Sequence, residues 1–198
     1  MIRIGRQIPH FGGVDPTSIQ TVFSDDHRFR YLLQVRYAGT LYDTGRDKRA
    51  SVILKNPSAA DASGADSTIR KVETFIYHHL PDVSDLAILN LFALRSTDAS
   101  ALMEEFMSRG ELSVIGPEND RTIREVAGSS DYVVVAWGGR SGIGAALYSE
   151  RVRKVRQILS GSGKFRIFEV VGDRETEEPL HGMMWGYEYR LVPCKRIM

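Results

Sequence analysis

Polar side chains that could act on a ligand follow an apolar run in the first third of this sequence. The run 51–54 breaks into Lys55-Asn56-Pro57-Ser58, and Asp61 follows within the same turn. Because the residue before a proline is driven out of the helical region, Asn56 should lie extended with its side chain presented, as active-site residues often are. Asp61 is a candidate carboxylate for orienting water. The alternative interpretation is ordinary turn chemistry.

A second amide, Asn90, lies in the apolar run 86–92. An amide offers a donor and an acceptor, which is what reading the edge of a nucleobase requires, so Asn90 is the preferred base reader. The alternative is that it satisfies loop backbone. Arg95 could clamp a phosphate or pair with Asp98. Phe92 and Trp137 could stack on a base, although a place in the core is the other interpretation for both.

The glycine-rich segment 138–144 has the composition of a phosphate cradle, with Gly139, Arg140 and Ser141 as its candidate contacts. It matches neither the Walker pattern nor the dinucleotide pattern, so a plain flexible loop stays open. The basic run 151–156, which contains Lys154, could follow a nucleic-acid backbone or form a solvated helix face. His181 follows the last predicted parallel strand and is either structural or functional.

Charge and cysteine content exclude several classes of protein. The net charge of +1 creates no global attraction for nucleic acid, so a DNA-binding surface would be a local patch. The single cysteine, Cys194, excludes an intramolecular disulfide and a cysteine-rich zinc site, and it fits a reducing cytoplasm. His78 and His79 lack a third ligand at metal spacing. We therefore expect a cytoplasmic protein with no metal, no cofactor and no membrane partner.

The elements that would position these residues form an α/β pattern. The 198 residues contain 42% hydrophobic residues, which predicts a single domain over 1–198, with residues 1–20 as an irregular leader. The runs 21–23 and 29–37 flank a polar turn and predict an antiparallel hairpin at a sheet edge.

Four apolar strands alternate with predicted helices: 51–54, 86–92, 132–137 and 165–171. This alternation predicts a three-layer α/β/α fold with a mostly parallel four-stranded central sheet, in addition to the N-terminal hairpin. Ligands bind outside the carboxyl ends of such strands. We therefore expect Asn56 and Asn90 to point into one base-sized cavity.

Several motifs occur in one order that resembles a known family. They are Leu54 to Asp61, Asp66 to Arg70, Asn90 to Asp98, Gly116 to Asp120 and Ala136-Trp137-Gly138. In this order they resemble the bacterial and phage family of the domain of unknown function number sixteen forty-three. The resemblance spans about residues 28 to 185 and implies no established activity.

A more distant resemblance is to the uracil-DNA glycosylase superfamily, especially its mismatch-specific branch. In that superfamily a Gly-x-Asn-Pro turn ends the first strand, and a late His-Pro-Ser loop stabilises the leaving group. The resemblance implies that Asn56 positions the hydrolytic water, that Asn90 reads the base and that His181 stabilises charge on the departing base. Lys55 and Gly182 depart from these motifs.

Together these patterns predict a DNA base glycosylase that hydrolyses the N-glycosidic bond of a modified base, with foreign or phage DNA as its partner. The alternatives are a non-catalytic nucleotide- or nucleic-acid-binding module, and a hydrolase or transferase acting on free modified nucleotides. The candidate residues fall into three groups: catalytic Asn56, Asp61 and His181; base- or substrate-binding Pro57, Ser58, Asn90, Phe92, Arg95 and Trp137; and phosphate- or nucleic-acid-binding Gly139, Arg140, Ser141 and Lys154.

Overall fold

A computed structural model of the chain describes residues 7–39, 45–58, 60–96, 98–161 and 165–197. A seven-stranded sheet forms its centre, in the order β1-β2-β4-β3-β5-β6-β7. The strands are β1 (Gln20–Phe23), β2 (Arg30–Arg36), β3 (Lys48–Leu54), β4 (Val83–Asn90), β5 (Tyr132–Val135), β6 (Arg166–Val171) and β7 (Arg190–Pro193).

The four strands predicted as the central sheet are β4, β3, β5 and β6, and neighbouring members of this set pair in parallel. The hairpin β1-β2 is confirmed, and β2 pairs antiparallel with β4. The C-terminal strand β7 pairs antiparallel with β6 at the other edge. The mixed α/β class is therefore confirmed. The sheet of four strands is not confirmed, because the predicted hairpin continues it at one edge and β7 continues it at the other.

Five α-helices connect or flank the strands: α1 (Ser67–His79), α2 (Ala99–Arg109), α3 (Leu112–Ile115), α4 (Asn119–Gly128) and α5 (Ala145–Gly161). Helix α1 packs on one face of the sheet through an apolar stripe that includes Val72 and Phe75. The other four helices bury side chains in a second cluster on the opposite face. Apolar residues at helical spacing account for this packing, because they place one stripe of each helix against the sheet.

Side-chain caps fix where two of these helices begin. The Asp66 carboxylate accepts a hydrogen bond from the backbone N–H of Ile69 at 2.8 Å, and Asp98 accepts one from that of Ser100 at 2.9 Å. Each bond satisfies a donor that the first helical turn leaves unpaired. The Asp66 cap holds the start of α1 beside the turn that carries Asn56.

Two predicted boundaries differ in ways that affect the site. Strand β3 begins at Lys48 rather than at residue 51, and β4 ends at Asn90 rather than at residue 92. After Asn90 the chain crosses the end of the sheet, where Leu91 N–H bonds to Leu54 O and Phe92 N–H bonds to Lys55 O. Residues 1–6 of the predicted leader lie outside the described residues. No helix in the described ranges has the length and apolarity needed to cross a bilayer.

Candidate active site

One cavity of the described residues has a volume of about 860 Å³, within the range of small-molecule sites. Much of its wall comes from the chain that leaves the carboxyl ends of parallel strands: Lys55 and Asn56 after β3, Gly138–Ser141 after β5, and Thr176–His181 after β6. Parts of α2 and α5 and the residues Met183 and Met184 complete the wall. The predicted location of the ligand site thus coincides with a cavity.

Asn56 lines this cavity and is half-buried. Its Nδ2 donates a hydrogen bond to the backbone carbonyl of Ser96, which ties the amide to the loop after β4. The amide oxygen, Oδ1, is the acceptor of Asn56 for a hydrogen bond from a water molecule or a ligand, and the bond made by Nδ2 fixes its direction.

Lys55 is the buried cation of the cavity. Only 8% of the residue is exposed, and its Nζ donates a hydrogen bond to Ser141 Oγ at 3.0 Å. Burial lowers the pKa of Lys55, because the charged ammonium loses its hydration. Lys55 was not among the predicted site residues. The only indication of its role in the sequence is its position directly after the run 51–54.

His181 lies on the same wall, and its hydrogen bonding defines its tautomer. Its Nδ1 accepts the backbone N–H of Met183 at 3.2 Å, so the proton of the neutral ring lies on Nε2. Burial, and secondly the positive charge of Lys55, lower the pKa of His181 to about 4. At neutral pH the ring is therefore an uncharged Nε2–H donor beside a cation.

Gly138 permits this position of His181. Its φ of 67° is in the left-handed region, and a Cβ atom there would lie 2.7 Å from the Cβ of His181. Any other L-residue would meet both backbone strain and a steric clash. The loop is also joined to the end of β5 by the bond from Gly182 N–H to Ala136 O at 3.3 Å.

Glu178 provides a carboxylate on the cavity wall, and the buried Trp137 and the partly exposed Arg156 hold it in place. Trp137 Nε1 donates to its Oε2 at 3.0 Å, and Arg156 Nη2 donates to the same oxygen at 3.1 Å. The Tyr148 hydroxyl donates to the carbonyl of Gly138, and burial raises the pKa of Tyr148 well above its ordinary value. Glu178 and Tyr148 are further cavity residues that sequence analysis missed, because neither stands in a recognisable motif.

Asn90 is not where the sequence analysis expected it. It is the last residue of β4, paired in register with Leu54, and it is fully buried. Neither of its side-chain polar atoms has a hydrogen-bond partner among the described residues, and Asn90 does not line the cavity that contains Asn56. The expectation of one shared cavity is therefore wrong, because Asn90 belongs to strand β4 and its side chain is buried in the core.

Phe92 and Trp137 are also fully buried, within the cluster that packs against α2–α5. The guanidinium of Arg95 lies over the ring of Phe23, at 4.7 Å from its centroid. None of these three side chains lines the large cavity. The placement of Phe92 and Trp137 corresponds to the core alternative that the sequence left open.

The other predicted residues divide between the cavity and its surroundings. Gly139, Arg140 and Ser141 line the cavity, whereas Lys154 lies on α5 beside a separate depression. Pro57 is buried next to Asn56 and outside the cavity wall. Ser58 lines a second, smaller cavity that Asn56 and His181 share.

Asp61 lies outside both cavities and orders its own turn. Its Oδ1 accepts hydrogen bonds from Ser63 N–H at 2.8 Å and from Gln7 Nε2 at 3.0 Å. Burial disfavours the charged carboxylate, but the bonds from Ser63 and Gln7 outweigh that effect and lower the pKa of Asp61. Of the three predicted catalytic residues, the structure brings together Asn56 and His181 only. Among the described residues, no cluster of three or more His, Cys, Asp or Glu side chains could hold a metal ion.

The chain is thus a mixed α/β protein with a polar cavity at the carboxyl ends of parallel strands. Residues 30–183 match the family model described as a protein of unknown function, DUF1643, and the chain belongs to that family. No curated protein and no solved structure gives a significant match. The resemblance to the family is confirmed, and the relationship to uracil-DNA glycosylases stays a prediction.

Proposed function

We propose that the protein is a DNA base glycosylase that hydrolyses the N-glycosidic bond of a modified base in the 860 Å³ cavity. The observation that carries this proposal is the neutral His181, which shares a cavity wall with Asn56 and Lys55 and whose ring proton lies on Nε2. A second line of support is the distant resemblance of these motifs to the uracil-DNA glycosylase superfamily.

The charges of the cavity suit the departure of a base. As an N-glycosidic bond breaks, electrons move onto the base and the sugar becomes oxocarbenium-like, so donors aimed at the base stabilise the transition state. The neutral His181 ring supplies such a hydrogen-bond donor. The Lys55 ammonium adds a positive potential that favours negative charge on the departing base. Lys55 therefore has two effects in this proposal: its charge adds to the burial that keeps His181 neutral, and it stabilises the leaving group.

Asn56 orients the water in this proposal. Its amide nitrogen is held by the Ser96 carbonyl, so the Oδ1 acceptor has a fixed direction. A fixed acceptor aligns water for attack on a sugar carbon that already carries positive charge, and such a carbon requires little deprotonation of the water. The proposal assigns the contacts with the base to the segment 139–141 and to Met183, which is 51% exposed. The proposal assigns no base contact to Asn90.

The test is base release from DNA. The protein is incubated with phage DNAs and oligonucleotides that carry different base modifications, and free bases are measured by mass spectrometry. His181→Gln should slow release by about a hundredfold or more, the usual loss for one such donor. His78→Gln, a change of an exposed histidine on α1, is the matched control and should release base at the wild-type rate. Equal rates for His181→Gln and His78→Gln would contradict the proposal.

A second candidate is a nucleotide-binding module without catalysis, and the position of the carboxylates favours it. Asp61 lies outside the cavity, and Glu178 already accepts hydrogen bonds from Trp137 and Arg156. The glycosylase mechanism therefore assigns the water to an amide, Asn56, rather than to a carboxylate, and binding alone requires no such group. Retention of modified DNA with no released base, unchanged in Asn56→Ala, would favour this second function. Release from mononucleotides alone would instead indicate a hydrolase of free nucleotides.

A further inference from the structure

A second cavity of about 210 Å³ lies next to the first, between the start of β2, the turn after β3 and the start of α1. Arg30, the first residue of β2, contributes to its wall and is fully buried. Arginine is rarely buried to this extent without a charged partner. The charges of Asp66 and Asp61 act on Arg30, but among the described residues no carboxylate accepts a hydrogen bond from its guanidinium.

The hydrogen bonds of Arg30 are incomplete. Its Nη1 donates to the carbonyl of Ala60 at 2.5 Å, while Nε and Nη2 are buried and have no partner among the described residues. A guanidinium with two adjacent unpaired donors has the fork geometry that matches the oxygens of a phosphate. Leaving such donors unsatisfied is costly, so a ligand that accepts from them would bind with a substantial gain.

Helix α1 adds a second feature that favours an anion. Its 13 residues begin at Ser67, and Thr68 in the first turn lines the cavity. The N-terminus of a helix carries a partial positive charge and unpaired N–H groups. The carboxylate of Asp66 is the opposing charge, and both of its oxygens already accept hydrogen bonds, from Ile69 N–H and from Ser58 Oγ.

We propose that this second cavity binds a phosphate group through Arg30 and the start of α1. The two cavities share Asn56, His181 and Met183, so the phosphate would lie beside the group held in the large cavity. The ligand class is accordingly a nucleotide phosphate, either the terminal phosphate of a free nucleotide or a phosphodiester of a DNA strand. Phosphate binding itself requires no glycosylase activity, and only the link between phosphate and base rests on the proposed function.

The first experiment measures binding of inorganic phosphate by calorimetry and by its effect on the melting temperature at constant ionic strength. Thr68→Glu puts a carboxylate at the cavity wall, in a helix turn where acidic residues are tolerated well, so the variant should fold. Thr74→Glu makes the same change later in the same helix and is the control. Phosphate should bind at least tenfold more weakly to Thr68→Glu than to the control.

Arg30→Met tests the cation directly, and its loss of phosphate binding in a folded protein would support the proposal. If that variant does not fold, the comparison of Thr68→Glu with Thr74→Glu decides. No binding of phosphate to the wild type, or equal binding to both threonine variants, would overturn the proposal.

Two further ligands distinguish a free nucleotide from a DNA backbone as the source of the phosphate: a deoxynucleoside 5′-monophosphate and an oligonucleotide without terminal phosphates. Competition of the former with inorganic phosphate indicates a free nucleotide, and competition of the latter indicates a DNA backbone. Binding of phosphate without base release from any DNA would refute the glycosylase and leave this site standing. Base release at the wild-type rate in Thr68→Glu, together with unchanged phosphate binding, would refute this site alone.

Discussion

Replacement of His181 by glutamine should remove a defined part of the acid sensitivity of the protein. The pKa of His181 is lowered from an ordinary 6.5 to about 4, mainly by burial and secondly by Lys55. A difference of this size corresponds to about 3 kcal/mol of unfolding free energy. Because the folded pKa is the lower one, the unfolded chain takes up a proton first as the pH falls. The contribution is fully present above pH 6.5 and is lost by about pH 4.

The assay is urea denaturation at a series of pH values from 4 to 7.5, with the free energy of unfolding extrapolated to water. The wild type should lose about 3 kcal/mol more than His181→Gln between pH 7 and pH 4. His78→Gln removes an exposed imidazole from α1 and should follow the wild type. Parallel curves for the wild type and His181→Gln would refute the assignment of His181 as a buried neutral ring.

Three further predictions concern Lys55, Gly138 and His10. Lys55→Met should raise the pKa of His181 part of the way toward 6.5, because the charge of Lys55 is removed while the burial of His181 remains. The pKa is measured by NMR titration, and an unchanged pKa would show that the two side chains do not interact. Gly138→Ala should destabilise the protein by about 1–3 kcal/mol in urea, because of the positive φ and the clash with His181; an unchanged midpoint would contradict the geometry. His10→Gln should destabilise the protein most below pH 6.5 and progressively less at higher pH. Burial disfavours the His10 cation, but the hydrogen bond and the charge of Glu73 outweigh burial and raise the pKa of His10. The stability that this ion pair contributes therefore disappears as the pH rises through the raised pKa, and a pH-independent loss of stability in His10→Gln would contradict the prediction.

Local sequence patterns predicted most of the elements around the sheet. The apolar run 51–54, the capped segment after Asp66 and the hairpin 21–37 each contain their own signal, namely β-branched runs, a capping carboxylate and a polar turn. The extra edge strand β7 had a weaker signal. A short extended run becomes an edge strand only when a partner such as β6 is available, and that depends on tertiary packing.

The site was predicted in part, and the physical reason is the direction of side chains. Asn56 follows a strand and precedes a proline, so its local sequence places it in the loop and in the cavity. Asn90 lies within the apolar run 86–92, and this run gives no indication of the residue at which the strand stops. Because β4 ends at Asn90 itself, the amide belongs to the strand and is buried rather than presented in the loop. Lys55 and Arg30 were missed because a lone cation in an apolar run has no motif, and its importance depends on which charges surround it after folding.

The most direct test of the account is a count of abasic sites in phage DNA that carries modified bases, after incubation with wild-type protein and with Asn56→Ala. The account predicts that abasic sites accumulate with the wild type and form about a hundredfold more slowly with Asn56→Ala. Gln20→Ala, an exposed change on the edge strand β1, should behave as the wild type. Equal numbers of abasic sites with the wild type and Asn56→Ala, or none with the wild type on any modified DNA, would contradict the central claim.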